Sequence, residues 1–238
     1  AGIFTEFQEQ RTPGHTVAGG KIYQMGILDQ LAEITVNTED LKAMRIAGET
    51  IIDFAKLYAA ELRKISFSEN RPWRAKELLE MADICERVPA KAPTTFHEAL
   101  QYYWFMHIGV LTESNPWDSF NPGRMDQHLY PFYKKEIEEG TLTKERAIEL
   151  LQSFWIKFNN HPAPSKVGVT AEESNTYTDF ALINLGGLTP EGIDGVNELS
   201  FIILDVIEEM RLLQPSSMIQ VSRKNPDEFL HRTLKILK

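Results

Sequence analysis

The segment Trp117-Asp118-Ser119-Phe120-Asn121-Pro122-Gly123-Arg124 gathers two aromatic rings, a hydroxyl, an amide, a carboxylate and a guanidinium into eight residues. Such a mixture can orient a small polar substrate by directed hydrogen bonds inside an apolar cleft. It equally suits a buried connecting loop whose polar groups satisfy their own backbone. Upstream, EQRTPGHTV (9–17) sets Arg11 and His15 around a Pro-Gly turn, which taken alone reads as a surface turn. Tyr177-Thr178-Asp179-Phe180 precede one short apolar run and Gln214-Pro215-Ser216-Ser217 precede another. Aromatics in such a position line a core about twice as often as a substrate wall.

Other chemistries find no footing. Gly186-Gly187 lacks the Lys-Ser/Thr of a phosphate loop and the spacing of a dinucleotide fingerprint. There is no G-x-S-x-G and no H-E-x-x-H, and none of the six histidines pairs at a helical ligand spacing. Asp126 and His128 lie two apart at a helix start, which turns them to different faces. The single cysteine, Cys85 in ADICERVP, falls mid-helix without a helix N-terminus or a histidine to activate it, and reads as a small buried hydrophobe.

These residues need elements to hold them. Asn37 can cap a helix with Glu39 and Asp40 in its first turn; Met44, Ala47, Ile51, Phe54, Tyr58, Leu62 and Ile65 then follow at spacings of three and four. Pro72 opens a second helix to about Val88. Thr95 and Glu98 have capping-box spacing for a third, which runs through Tyr102-Tyr103-Trp104-Phe105 and is apolar nearly all round. Residues 113–124 form a turn-rich loop, followed by helices over about 125–139 and 143–158. The last third reads as a strand at 181–185, a helix over about 196–212, a strand at 218–221 and a helix from Asp227 still running at Lys238. Strand, helix, strand is a parallel βαβ unit. Two strands do not close a sheet, so the chain reads as cut from something longer.

The 238 residues carry a net charge of −9, an apolar share of 42% and a pI near 5.2. That is globular composition, and its acidity disfavours a nucleic-acid partner. The longest apolar stretch, Ala99–Leu111, is too short to span a membrane. One cysteine excludes an internal disulfide and suits a reducing cytosol; the N-terminus lacks the basic start and apolar core of a signal peptide. The expected location is cytoplasmic.

Four segments together resemble the glycyl radical enzymes, the superfamily of pyruvate formate-lyase, glycerol dehydratase, hydroxyphenylacetate decarboxylase and isethionate lyase. They are EFQEQRTPGHTV, NPWDSFNPGRMDQHLYPFYKKEIEEG, FNNHPAPSKVGVTAEESNTYTDFALINLGGL and LLQPSSMIQVSRKNPDEF. The resemblance covers nearly the whole chain and implies an N-terminal portion. Its implied fold class is α/β: a largely helical segment (1–165) leading into the first strands (166–238) of a ten-stranded α/β barrel. The family's thiyl-forming Cys-x-Glu loop and its Arg-Val-x-Gly radical loop have no counterpart here, since Cys85 is followed by Glu86-Arg87. The expected function is the substrate-binding portion of an oxygen-sensitive lyase that abstracts hydrogen from a small polar substrate, inactive by itself. The competing class is a non-catalytic helical scaffold. A barrel-type ribonucleotide reductase relative is disfavoured because no nucleotide phosphate cradle is visible.

The resemblance also implies roles. Ser119 and Asn121 match the S-x-S of the S-x-S-P-G-R loop, where hydroxyls bind substrate oxygen; Asn121 stands for the second Ser, which puts a glycerol or diol preference in question. Arg124 and Asp126 are expected to hold the loop by an internal salt bridge, with Trp117 in support. His15 matches a Gly-His that polarises a substrate hydroxyl, and Tyr177 and Phe180 fall near an aromatic residue that closes the cavity. Gln8 and Arg11 are candidates for an anionic group. The implied cofactor is a glycyl radical on a glycine outside this segment, with no metal or nucleotide. The implied partners are a small-molecule substrate, a radical S-adenosylmethionine activating enzyme and a second subunit in a homodimer, with neither nucleic acid nor membrane.

Overall fold

A computed structural model describes residues 38–113, 121–160 and 181–237, which fall into two compact units, 38–109 and 110–237. The first is helical. Helix α1 (Thr38–Ser68) and helix α2 (Pro72–Arg87) pack together, and α3 (Phe96–Glu113) begins in this unit. The buried face of α1 runs through Met44, Gly48, Ile52, Ala55 and Ala59, about one residue around from the apolar stripe read in the sequence. Tyr58 and Ile65 of that stripe are 50% and 43% exposed. Small side chains explain the rotation, because Ala55 and Ala59 admit Ala82, Cys85 and Phe105 into one cluster with Ile51, Phe54 and Leu62 at its edge. Cys85 is thus a buried packing residue.

The cap of α3 departs from the expected box by one residue. Thr95 Oγ1 accepts the Glu98 N–H at 3.1 Å, but the Glu98 carboxylate reaches the N–H of Thr94 at 2.7 Å and its hydroxyl at 2.9 Å. Arg87 Nη1 donates to the same oxygen at 3.0 Å and ties the end of α2 to the start of α3. Twelve residues of α3 are buried, from Phe96 to Leu111, as its all-round apolarity requires.

The second unit is layered helix on sheet. Strand β1 (Gly123–Arg124) leads into α4 (Met125–Glu139), which ends on Gly140 at φ 69°, and α5 (Lys144–Asn160) follows. Strand β2 (Leu182–Gly186), helix α6 (Glu198–Met210), strand β3 (Ser216–Gln220) and helix α7 (Asp227–Ile236) complete it. The last helix runs to Ile236, and the Leu237 N–H still bonds to Thr233 O. The strands form a parallel sheet in the order β1-β2-β3. The parallel β2–α6–β3 unit is as the sequence implied, in register from Leu182↔Ser216 to Gly186↔Gln220. Strand β1 falls where the sequence predicts a loop. Helix α6 packs on α4, α5 and α7, and Ile183, Leu185, Leu199, Ile202, Ile203, Val206, Met125 and Phe229 are buried around it. Gly186, at φ 71°, closes β2 where a Cβ would stand 2.6 Å from the Phe229 ring and 3.0 Å from Gln220 O, so glycine is required on both steric and dihedral grounds.

Candidate functional site

From Asn121 onward the chain runs alongside β2, and its side chains continue what the short β1 ladder begins. At the amino end, Asn121 Oδ1 accepts the N–H of Leu182 at 2.7 Å. The ladder itself pairs Gly123 with Ile183 and Arg124 with Asn184. At the carboxyl end, Asp126 Oδ2 accepts the Gly186 N–H at 2.8 Å, and Gln127 Nε2 donates to the Gly186 carbonyl at 2.9 Å. Arg124 Nη1 donates to the Leu188 carbonyl. Side chains therefore lengthen a two-residue strand in both directions, and the backbone of 182–188 supplies the partners.

Asp126 is the hub of this arrangement. It is fully buried, and Oδ2 accepts a second hydrogen bond, at 2.6 Å, from Ser200 Oγ. Ser200 is the third residue of α6, and its oxygen accepts the N–H of the N-cap Asn197 at 3.0 Å. Asn197 in turn accepts the Leu199 N–H at 2.9 Å and donates from Nδ2 to the Asp126 carbonyl at 3.1 Å. One carboxylate thereby joins the starts of α4 and α6 to the end of β2. Burial pushes its pKa up to about 6, against the opposing pull of Ser200, the Gly186 and Gln127 amides and the nearby Arg124 charge. Burial, reinforced by Arg124, drives His128 down to about 4, so this imidazole is neutral near pH 7.

A second clasp closes the same end of the sheet. Asn225 Nδ2 donates to Gly187 O at 2.8 Å and to Asp194 Oδ1 at 2.7 Å, while its Oδ1 accepts the Ser222 N–H at 2.7 Å. The loops after β2 and β3 are thus joined, and Lys224 Nζ adds a bond to Gly192 O.

Among the residues singled out in the sequence, Asn121, Arg124 and Asp126 are described; Gln8, Arg11, His15, Trp117, Ser119, Tyr177 and Phe180 lie outside the described residues. The expected Arg124–Asp126 salt bridge is not formed. Each side chain instead takes a backbone or hydroxyl partner from the β2–α6 connection, and Arg124 acts on the carboxylate only through space. A neutral carbonyl and two N–H/O–H donors are the available partners because these side chains face the strand and not each other. Sequence reasoning passed over Asn197, Ser200, Asp194, Asn225 and Gln127. Asn197 and Ser200 carry a readable signal, an N-x-x-S capping spacing before an apolar run. Among the described residues no group of three or more His, Cys, Asp or Glu could hold a metal ion, and no helix is long and apolar enough to cross a membrane.

The profile of the pyruvate formate lyase-like family matches residues 1–238. The chain belongs to that family, and through it to the glycyl radical enzymes. It is 51% identical over 251 residues to the trans-4-hydroxy-L-proline dehydratase of Clostridioides difficile, a match covering 99% of this chain and 32% of that protein. Isethionate sulfite-lyase of Nitratidesulfovibrio vulgaris is 32% identical over 83% of this chain and 24% of its own length. Among solved structures, the C. difficile hydroxyproline dehydratase with trans-4-hydroxy-L-proline bound superposes with a TM-score of 0.83 at 50% identity, over 97% of this chain and 31% of that one. The B12-independent glycerol dehydratase of Clostridium butyricum gives 0.78 at 28% identity, over 91% and 29%. The chain therefore spans about a third or less of the length of these relatives. Its own described residues are mostly helical with a small parallel sheet.

Proposed function

We propose that these residues form the substrate-binding portion of an oxygen-sensitive glycyl radical lyase of the dehydratase type, and that the three strands are the start of its ten-stranded barrel. The observation that carries this reading is the 51% identity across 99% of the chain to a dehydratase of a small hydroxylated amino acid. The reaction class is cleavage of a C–O, C–C, C–N or C–S bond in a small polar substrate after hydrogen abstraction, with C–O elimination favoured by that relative. The radical chemistry itself belongs to residues other than these. Cys85, buried in an apolar cluster between α1 and α2 and followed by Glu86 and Arg87, does not fit a thiyl role. No step is therefore assigned to the radical through this chain.

This chain's task is to bind, orient and keep dry. Ser119 and Asn121 would hold substrate oxygen, His15 would polarise a hydroxyl, Tyr177 and Phe180 would wall the cavity, and Gln8 and Arg11 would meet an anionic group. Arg124, Asp126 and Trp117 would support the loop. A radical intermediate reacts with most C–H bonds, so a fixed pose and exclusion of water and oxygen decide the product. The reading includes a cytoplasmic homodimer activated by a radical S-adenosylmethionine enzyme. Its test is anaerobic activation of the full-length protein. A glycyl radical EPR doublet together with turnover of trans-4-hydroxy-L-proline, isethionate or a polyol supports it. A full-length protein that yields no doublet and turns over none of them refutes it.

A further inference from the structure

The two ends of the Asn121 amide have different surroundings. Its Oδ1 accepts the Leu182 N–H at 2.7 Å, which fixes the planar group: a reversed amide would set NH2 against N–H. Nδ2 is left as the outer end of an exposed side chain and donates to none of the described residues. Pro122 follows and brings no N–H of its own. One residue before Leu182, the Ala181 carbonyl is committed to the Ser216 N–H at 2.9 Å. This end of the sheet therefore offers an oriented pair of donors, with the Ala181 carbonyl turned into the sheet. A serine at position 121 would offer a rotating hydroxyl that both donates and accepts.

We propose that Asn121 is a specificity-determining residue that favours an anionic acceptor, a carboxylate or sulfonate, over a neutral hydroxyl, whose oxygen accepts more weakly and whose proton finds no acceptor at the fixed amide. The inference rests on the reading of this chain as a substrate-binding portion. Backbone fixation is what makes it sharp, because the amide cannot turn to meet a donor without breaking the bond that begins β2. Asn121→Asp separates the two tasks of the side chain: a carboxylate still accepts the Leu182 N–H but has no donor left.

The test is calorimetric binding to the full-length, unactivated protein, using trans-4-hydroxy-L-proline, isethionate and 1,2-propanediol as probes. Wild type is expected to bind at least one of the two acids. Asn121→Asp is expected to keep its melting temperature within about 2 °C and to weaken that binding about tenfold or more, because a charge-assisted pair is replaced by repulsion. Binding of the diol should hold or improve, since a carboxylate accepts from its hydroxyls. Asn121→Ala, which also loses the β2 contact, should lower both stability and acid affinity. Less than tenfold weakening in Asn121→Asp, or a wild type that binds only the diol or none of the three, overturns the inference. Because binding is read without activation, its failure is distinct from failure of the lyase reading: a protein that forms the radical and cleaves only polyols loses this inference and keeps that one.

Discussion

Ser200→Ala removes a hydroxyl that donates to a buried carboxylate and accepts the N-cap amide of α6, at 2.6 and 3.0 Å. A hydrogen bond to a charged group contributes about 1.5–3 kcal/mol and one between neutral groups about 0.5–1.5 kcal/mol. The cost of the substitution should therefore depend on whether Asp126 is ionised. Burial raises the Asp126 pKa from 3.8 to about 6 in the folded protein. For such a group the folded state holds the proton more tightly than the unfolded state. Stability is full below pH 3.8 and is lost as pH rises toward 6. Ser200 opposes that rise, so its removal lifts the folded pKa further and extends the loss to higher pH. The expected penalty is about 1 kcal/mol at pH 5, where the carboxyl is mostly protonated, growing to about 2–3 kcal/mol at pH 8. Denaturant unfolding of wild type and variant at both pH values reads the difference directly. Ser200→Thr should recover most of it, and in an Asp126→Asn background the pH dependence should vanish. A penalty that is equal at both pH values, or larger at pH 5, would show that the ionised carboxylate is not the partner.

Three further outcomes follow from the geometry. Gly186→Ala should destabilise by about 2 kcal/mol or more in equilibrium unfolding, since its Cβ would meet the Phe229 ring at 2.6 Å and the residue sits at φ 71°. Cys85→Ala should lower stability by about 1 kcal/mol through the small cavity it leaves and should not change turnover of the activated full-length protein; a lost radical signal would restore Cys85 to the chemistry. Asn121→Asp should separate acid binding from fold stability, as measured by paired calorimetry and thermal unfolding.

The helices were legible because their signals are local. Pro72 at the start of α2 and Gly140 at the end of α4 mark boundaries within a residue or two of those observed. The parallel β2–β3 pair was legible because an apolar helix separates two short runs. Strand β1 was not, since two residues between Pro122 and α4 carry no period, and their pairing depends on a partner about 60 positions away. The rotation of the α1 face had a similar cause: hydrophobicity marked Tyr58 and Ile65, whereas close helix packing selected Ala55 and Ala59. At the site, the types of Asn121, Arg124 and Asp126 drew notice, but their partners did not. Backbone amides and carbonyls carry no letter in the sequence, so a side chain that binds them leaves no complementary residue to find.

That anonymity has a consequence for folding. Asn121, Asp126 and Gln127 engage Leu182 and Gly186 through main-chain atoms whose donor or acceptor character is fixed by position. A slip of β2 by one residue would displace all of these contacts together and turn the buried Ile183 and Leu185 to the opposite face. The three side chains thus act as a combination lock on strand alignment. They leave the half-buried side chains of β2, Leu182 and Asn184, free to drift while admitting a single setting of the chain.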